Sequence, residues 1–320
     1  MKFAELKKSL KSNIESCYLL KGDDSFLIDR SYSLIYDALN MTMDDLNVNK
    51  FEEAVDFEMV IKALNTMPVF TEHRLVYVRL SAKDFKNEKL LKDYFENANP
   101  TSVLVVNEGQ EDLMKTLAKE FTLVDCNRLS KDLIFPFVAS ELKKYNKTIT
   151  KEACEKMCDF TNNDLSKIVN ELVKLVGYIG DRPQIEADDI DNMVTKSTEF
   201  QIFELTEALA RKNSKKVYEI LDVLKSRKDE FRTLHALIYK HFRRLFFVSI
   251  SRENRADLAK MLGVQEYAIT KSQEQAKLFS KRQLKEINDI CIQLDYDLKN
   301  SNTNINSAID FLVLKILNCK

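Results

Sequence analysis

Residues 17–29 read Cys17-Tyr18-Leu19-Leu20-Lys21-Gly22-Asp23-Asp24-Ser25-Phe26-Leu27-Ile28-Asp29, an apolar run closed by a glycine and followed by a helix-forming stretch. A short strand, a glycine turn and a helix from Ser25 to about Asn40 open an α/β unit. The alternation continues downstream. Val48 to Glu52 predicts a second strand and Asp56 to Asn65 a second helix. Arg74 to Leu80 (RLVYVRL) is β-branched and aromatic, and a helix is expected from about Asn87 to Asn97. Thr101 to Asn107 (TSVLVVN), introduced by Pro100, is the strongest buried strand of the chain. Glu111 to Glu120 reads as helix and Thr122 to Cys126 as a fifth strand. Near-continuous apolar strands separated by helices predict a parallel sheet covered on both faces.

Composition points the same way. The 320 residues contain only five Gly and four Pro, against average usages of roughly 7% and 5%. Propellers, β-sandwiches and glycine-lined dinucleotide folds spend glycine on turns and ligand loops, so they are disfavoured. Hydrophobic residues at 45% and charged residues at 31% describe a folded, soluble chain, and its length suggests two to three domains. No apolar run approaches the roughly 20 residues needed to cross a bilayer. The opening MKFAELKKSLKSNIES lacks the apolar centre of a signal peptide, so a cytoplasmic protein with no membrane contact is expected. The six cysteines form no CxxC pair. Cys154 and Cys158 share a helical face but have no ligand-spaced histidine, so core packing is expected there and no metal.

After Leu129 no strands are expected. Leu165, Ile168, Val169, Leu172 and Leu175 recur at helical spacing behind an N-cap at Asn163 or Asp164, with a loop near Gly180-Asp181-Arg182-Pro183. Four further stripes follow: Val217, Ile220, Leu221 and Leu224; Leu234, Leu237, Ile238 and Leu245; Leu284, Ile287, Cys291, Leu294 and Leu298; Ile305, Ile309, Leu312 and Ile316. The last third therefore reads as a helical bundle. The expected division is an α/β domain over residues 1–132, a small helical domain over 133–200 and a bundle over 201–320.

Strand, Gly22 and helix stand where an ATPase-type α/β domain would place a phosphate-binding loop, G-x-x-x-x-G-K-[ST]. Read from Gly22, that frame puts Asp23 and Asp24 among the phosphate-facing positions and Leu27, Ile28 and Asp29 at the Gly-Lys-Ser/Thr positions. Two carboxylates would face a triphosphate with no cation to offset them, so neither nucleotide hydrolysis nor a bound cofactor is expected. Catalytic constellations are missing as well. His235 and His241 point to different faces of one helix. Asp44-Asp45 and Asp188-Asp189 sit where helix starts favour acids.

Two features read as interaction sites. From Arg211 to Ile250, eleven cations (Arg211, Lys212, Lys215, Lys216, Lys225, Arg227, Lys228, Arg232, Lys240, Arg243, Arg244) face four acids (Glu219, Asp222, Asp229, Glu230), a local excess of seven on a chain of net charge −1. Lys215, Lys216, Lys240, Arg243 and Arg244 are candidates for DNA or an acidic partner, against a solvated bundle face. The second is Thr66-Met67-Pro68-Val69-Phe70-Thr71. Pro68 stops the preceding helix and leaves Met67, Val69 and Phe70 on a turn. The alternative there is a core plug.

Taken in order, these segments resemble the delta subunit family of the bacterial DNA polymerase III clamp loader. Tyr18 to Ile28 is similar to its opening strand and degenerate phosphate loop. Met67-Pro68-Val69-Phe70 with His73-Arg74-Leu75-Val76 is similar to its clamp-contacting segment and next strand. Asp164-Leu165 with Glu171-Leu172 and Lys174-Leu175, Ser197 to Phe203, and Asp295 with Leu298-Lys299 extend the likeness almost end to end. The family often has Leu-Phe where this chain has Val69-Phe70, a smaller first anchor. The resemblance implies an AAA+-like domain, a small helical lid and a C-terminal collar. It implies a non-catalytic subunit that binds and opens the sliding clamp, with sister clamp loader ATPase and delta-prime subunits as partners and primed DNA within the complex. The rival expectation is a stand-alone nucleic-acid-binding protein on an inactive ATPase-type fold.

Overall fold

Strand β1 (Cys17–Lys21) runs parallel to β4 (Ser102–Gly109) on one side and β5 (Thr122–Asp125) on the other. With β2 (Val48–Phe51) and β3 (Arg74–Arg79) they make a five-stranded parallel sheet in the order β2-β3-β4-β1-β5. A computed structural model describes residues 1–81, 88–226, 233–264, 266–300 and 304–319. The chain divides into two compact units, residues 1–146 and 147–320.

In the first unit both faces of the sheet are covered, which explains why its strands read as unbroken apolar runs. Cys17, Leu19, Val76, Val78, Leu104 and Val106 pack on one face with Val60 and Leu64 of α4 (Phe57–Leu64) and Leu91 of α5 (Glu88–Glu96). The alternate residues Tyr18, Leu20, Leu75, Tyr77, Val103 and Val105 are buried on the opposite face. There Tyr32 of α2 (Ser25–Ala38) meets Tyr77 edge-on at 4.9 Å, and α1 (Phe3–Ser12) packs beside α2. Each fully buried aliphatic side chain contributes roughly 1.5–3 kcal/mol. A short α3 (Asp44–Asn47) leads into β2, and α6 (Lys131–Leu142) also belongs to this unit.

The sequence expectation fails at two places. Residues 111–120 form turns and a single 3₁₀ turn at Ala118–Glu120 rather than an α-helix. The segment is pinned to the sheet at Met114, Leu117 and Phe121, and the amide of Met114 donates to the Glu108 carboxylate (2.9 Å). Leu117 and Glu120 then close i→i−3 bonds, so the backbone is tighter than an α-helix. Strands also recur after Leu129. β6 (Thr148–Ile149) and β7 (Gln184–Ile185) pair in parallel, a ladder too short to leave a periodicity.

The second unit begins with α7 (Lys151–Thr161), α8 (Leu165–Ile179) and α9 (Ala187–Met193) around that ladder. Asp164 is the N-cap of α8 and accepts from the Lys167 amide at 3.1 Å. Then follow α10 (Thr198–Ala210), α11 (Ser214–Ser226), α12 (Leu234–Ile250), α13 (Arg255–Leu262), α14 (Glu266–Ala276), α15 (Lys281–Asn300) and α16 (Ile305–Leu317). The four stripes read from the sequence meet in one core, built around Val217, Leu221, Leu234, Ile238, Leu284, Ile287, Ile309 and Leu312.

Candidate functional site

The C-terminal ends of β1 and β4 mark where a parallel α/β sheet offers its ligand crevice. Here the protein closes it with its own groups. Gly22 has φ +156°, and a Cβ at this position would stand 2.0 Å from the Cys126 carbonyl carbon. The Gly22 amide donates to Gly109 O (2.7 Å) and the Asp24 amide to Cys126 O (3.1 Å), so neither donor is available to an anion. Asp24 Oδ1 accepts from the Leu27 amide (3.2 Å) and caps α2, placing a fixed carboxylate at the positive helix end. Burial raises the Asp24 carboxyl above its ordinary range. Asp23 accepts from the Arg128 amide (2.8 Å) and pairs with its guanidinium (3.4 Å). Leu27 and Ile28 are buried, while Asp29 is exposed. Lys21, the nearest strand-end cation, is held by Glu108 and Asp112. Among the described residues no cluster of His, Cys, Asp and Glu is arranged to hold a metal.

The turn after α4 has the opposite character. Asp56 caps α4 through the Glu58 amide (2.9 Å), and the free carbonyl of Leu64 at the other end accepts from Ser102 Oγ (2.6 Å) and Asn99 Nδ2 (3.0 Å). The helix end is thereby fixed to the start of β4. Beyond it Met67 is 68% exposed and Phe70 84% exposed, with Val69 half-buried between them. Phe70 sits in the left-handed region (φ +58°), where a bulky residue is a steric outlier. The buried side chain of Asn47 holds this shape. Its Nδ2 donates to Val69 O (2.8 Å) and Thr42 O (2.9 Å), and its Oδ1 accepts from the Val69 amide (2.7 Å). Arg74 continues the scaffold, donating to Leu46 O (2.7 Å) and Asn49 Oδ1 (2.6 Å). The turn's backbone is held by these hydrogen bonds and offers its largest apolar side chains to solvent, the opposite of a core plug. Asn47 was not singled out by the sequence; a lone Asn beside a strand start carries no periodic signal.

The basic candidates divide. Lys215 and Lys216 are exposed in the first turn of α11, and Lys240 and Arg243 are exposed on α12, Arg243 lying over the Phe247 ring at 5.5 Å. Arg244 is turned inward. It donates from Nε to Ser272 Oγ (2.8 Å) and from Nη2 to His241 Nδ1 (2.9 Å). That leaves the proton of His241 on Nε2, which donates to Gln275 Oε1 (2.7 Å), and Gln275 Nε2 donates to Phe203 O (2.8 Å). Burial, with the Arg244 charge beside it, pushes the His241 imidazole down to about 3. Lys225 pairs with Asp310 at 2.8 Å and Arg211 with Glu207 at 2.6 Å. Arg227, Lys228, Asp229, Glu230 and Arg232 lie outside the described residues.

A five-stranded parallel sheet with a carboxylate-capped β1–α2 turn, followed in the chain by a small helical segment and a bundle, defines an AAA+-like chain. The chain belongs to the DNA polymerase III delta subunit family. The model for "DNA polymerase III, delta subunit" matches residues 18–127, and that for the "DNA polymerase III delta subunit, C-terminal domain" matches residues 199–316. DNA polymerase III subunit delta of Bacillus subtilis (strain 168) is 27% identical over 338 aligned positions, covering 99% of this chain and 97% of that protein. A probable DNA polymerase III subunit delta of Aquifex aeolicus (strain VF5) is 22% identical over 224 positions, covering 66% of this chain and 64% of the other. Among solved structures, the Bacillus subtilis DNA clamp loader delta protein (YqeN) superposes with a TM-score of 0.79 at 26% identity, covering 98% of this chain and 99% of that one.

Proposed function

We propose that this chain is a non-hydrolysing clamp loader subunit, acting in the cytoplasm, that binds the ring-shaped sliding clamp and favours its opening. One observation carries this reading: Phe70 stands in a left-handed conformation, with Asn47 bonded to the adjacent Val69 backbone, and its ring is in solvent. An exposed, preorganised aromatic beside Met67 and Val69 is the anchor arrangement in which a few desolvated side chains supply most of an affinity. The likeness to the Bacillus subtilis clamp loader delta protein supports it.

In this reading ATP is bound and hydrolysed by sister subunits, because Asp23 and Asp24 occupy the position its phosphates would need. Residues 1–132 contact the clamp, 133–200 form a lid, and 201–320 form the collar that joins the sister ATPase and delta-prime subunits. Lys215, Lys216, Lys240 and Arg243 face primed DNA or a partner within the complex. Arg244 serves them indirectly by tying α12 to α14. Co-purification at moderate salt tests the reading. The chain should retain the clamp and sister subunits, and binding of DNA by the isolated chain as its main activity would argue against it.

A further inference from the structure

Beside the Met67–Phe70 turn lies a second apolar feature that the turn's own residues do not include. Met43 has φ +53° and is 54% exposed; Leu46, one helical turn on, is 50% exposed. Among the described residues, Met43 and Phe70 are the only large apolar side chains at positive φ, a region that Asn fills at four other positions. Both therefore hold an unfavourable backbone conformation and an exposed apolar side chain at once. Strain of this kind persists where the surroundings over-determine it, and it marks functional surfaces more often than neutral ones.

The two features are wired together. One atom, Asn47 Nδ2, lies 2.8 Å from Val69 O and 3.4 Å from Met43 O, and Thr42 Oγ1 reaches Phe70 O at 3.5 Å. The backbones of residues 42–43 and 69–70 are thus neighbours on one polar hub. Arg74 holds Leu46 O from behind. Asp44 and Asp45 follow Met43 directly; with Asp37, Tyr36 and the single cation Lys50 they line a groove that is acidic on balance, and Tyr36 Oη donates to Asp44 Oδ2 (2.6 Å).

We propose that Met43 and Leu46 form a second anchor of the same interface, so that the ring presents an apolar shelf continuous with the Phe70 pocket and edged by basic side chains. This rests on the reading of the Met67–Phe70 turn as the clamp contact and extends it to a segment more than twenty residues earlier in the chain. A single turn can pivot about its anchor. Two anchors fixed to one Asn47 hub set the angle at which the ring is held, which a subunit that levers a ring open requires.

The test uses the full chain and the purified ring from the same organism. Met43→Asn removes the apolar side chain while suiting the left-handed backbone, and Leu46→Ala shortens its neighbour. The Met43→Asn/Leu46→Ala double variant is expected to weaken ring binding roughly tenfold with an unchanged melting temperature. Leu46→Ala alone should give a smaller loss in the same direction. Phe70→Ala runs beside them as the control for the underlying reading. If Phe70→Ala loses binding and the double variant stays within about twofold of wild type, the second anchor is overturned and the turn stands. If Phe70→Ala also binds normally, the turn itself is wrong and the second anchor falls with it. Self-association of the wild-type chain that the double variant abolishes, with ring binding intact, would assign the patch to a second copy and overturn the proposal.

Discussion

The carboxamide of Asn47 pairs with both polar groups of the Val69 backbone, accepting from its amide at 2.7 Å and donating to its carbonyl at 2.8 Å, across 22 residues of sequence. This bond pair imitates one rung of a sheet where no strand is present. It explains how a turn with no regular structure keeps Phe70 at a positive φ. In the proposed clamp contact the apolar residues supply the area, and Asn47 supplies the preorganisation that lets that area be used without an ordering cost.

Asn47→Ala should therefore impair clamp binding although it removes no contact residue. Leaving the Val69 amide and carbonyl without partners costs about 1–3 kcal/mol, so the melting temperature should fall by several degrees. Asn47→Asp keeps the acceptor and loses the donor, and should lie between wild type and Ala. Thermal melts and clamp titrations on the pair check this. An Ala variant with wild-type binding would remove Asn47 from the account.

Gly22 offers a sharper test of how tightly the β1–α2 turn packs against the end of β5. Gly22→Ala places a methyl 2.0 Å from backbone carbon and 2.2 Å from backbone oxygen of Cys126, neither of which can swing away. The β1–α2 turn and the β5 end must then separate, with a loss of about 1–3 kcal/mol or more expected, as at overpacked sites. Urea denaturation measures it, and an unchanged midpoint would contradict the geometry.

Calorimetry with ATP and Mg²⁺ should show no binding heat at millimolar nucleotide. The Asp24 carboxylate caps α2, Asp23 is engaged by Arg128, and the Gly22 and Asp24 amides already donate to backbone carbonyls, so a phosphate would meet negative charge where those donors are spent. A micromolar dissociation constant would show that the loop opens.

Much of the fold is legible in the residues themselves, and the exceptions have physical causes. The runs at 17–20 and 101–107 are buried on both faces, so hydrophobicity alone marks them. Asp56, Asp164 and Ser197 cap helices and mark their starts. Met114, Leu117 and Phe121 have helical spacing, yet they are pins for a tight connection, because periodicity reports which side chains point inward and not how the backbone turns between them. Charge is similarly blind to partners. Arg244 counts with the basic stretch, but Ser272 and His241 hold it inside. The position of the Met67–Phe70 turn was readable from Pro68, whereas its exposure depends on Asn47, a tertiary contact no local pattern encodes.

His241 makes stability depend on pH in the second unit. Its folded value is pushed down to about 3, below the ordinary 6.5 that it regains on unfolding. The unfolded chain then binds the extra proton, so stability is fully present above about 6.5 and declines as pH falls towards 3. The slope should approach about 1.4 kcal/mol per pH unit from this group. Denaturation at pH 7.5, 6 and 5 measures it against His241→Gln, which should flatten that component. An equal slope in both proteins would contradict the buried neutral imidazole.

In the proposed function Phe70 is a binding anchor and not a structural one. Phe70→Ala removes a side chain that is 84% exposed, so stability should stay within about 0.5 kcal/mol of wild type. Burying that ring in a clamp pocket contributes roughly 2–3 kcal/mol, so clamp affinity should fall by about one to two decades, with Val69→Ala costing less. Melting temperature and clamp affinity measured on one preparation of Phe70→Ala decide the matter. Lost binding at unchanged stability is the predicted result; a destabilised protein that binds the clamp normally would contradict it.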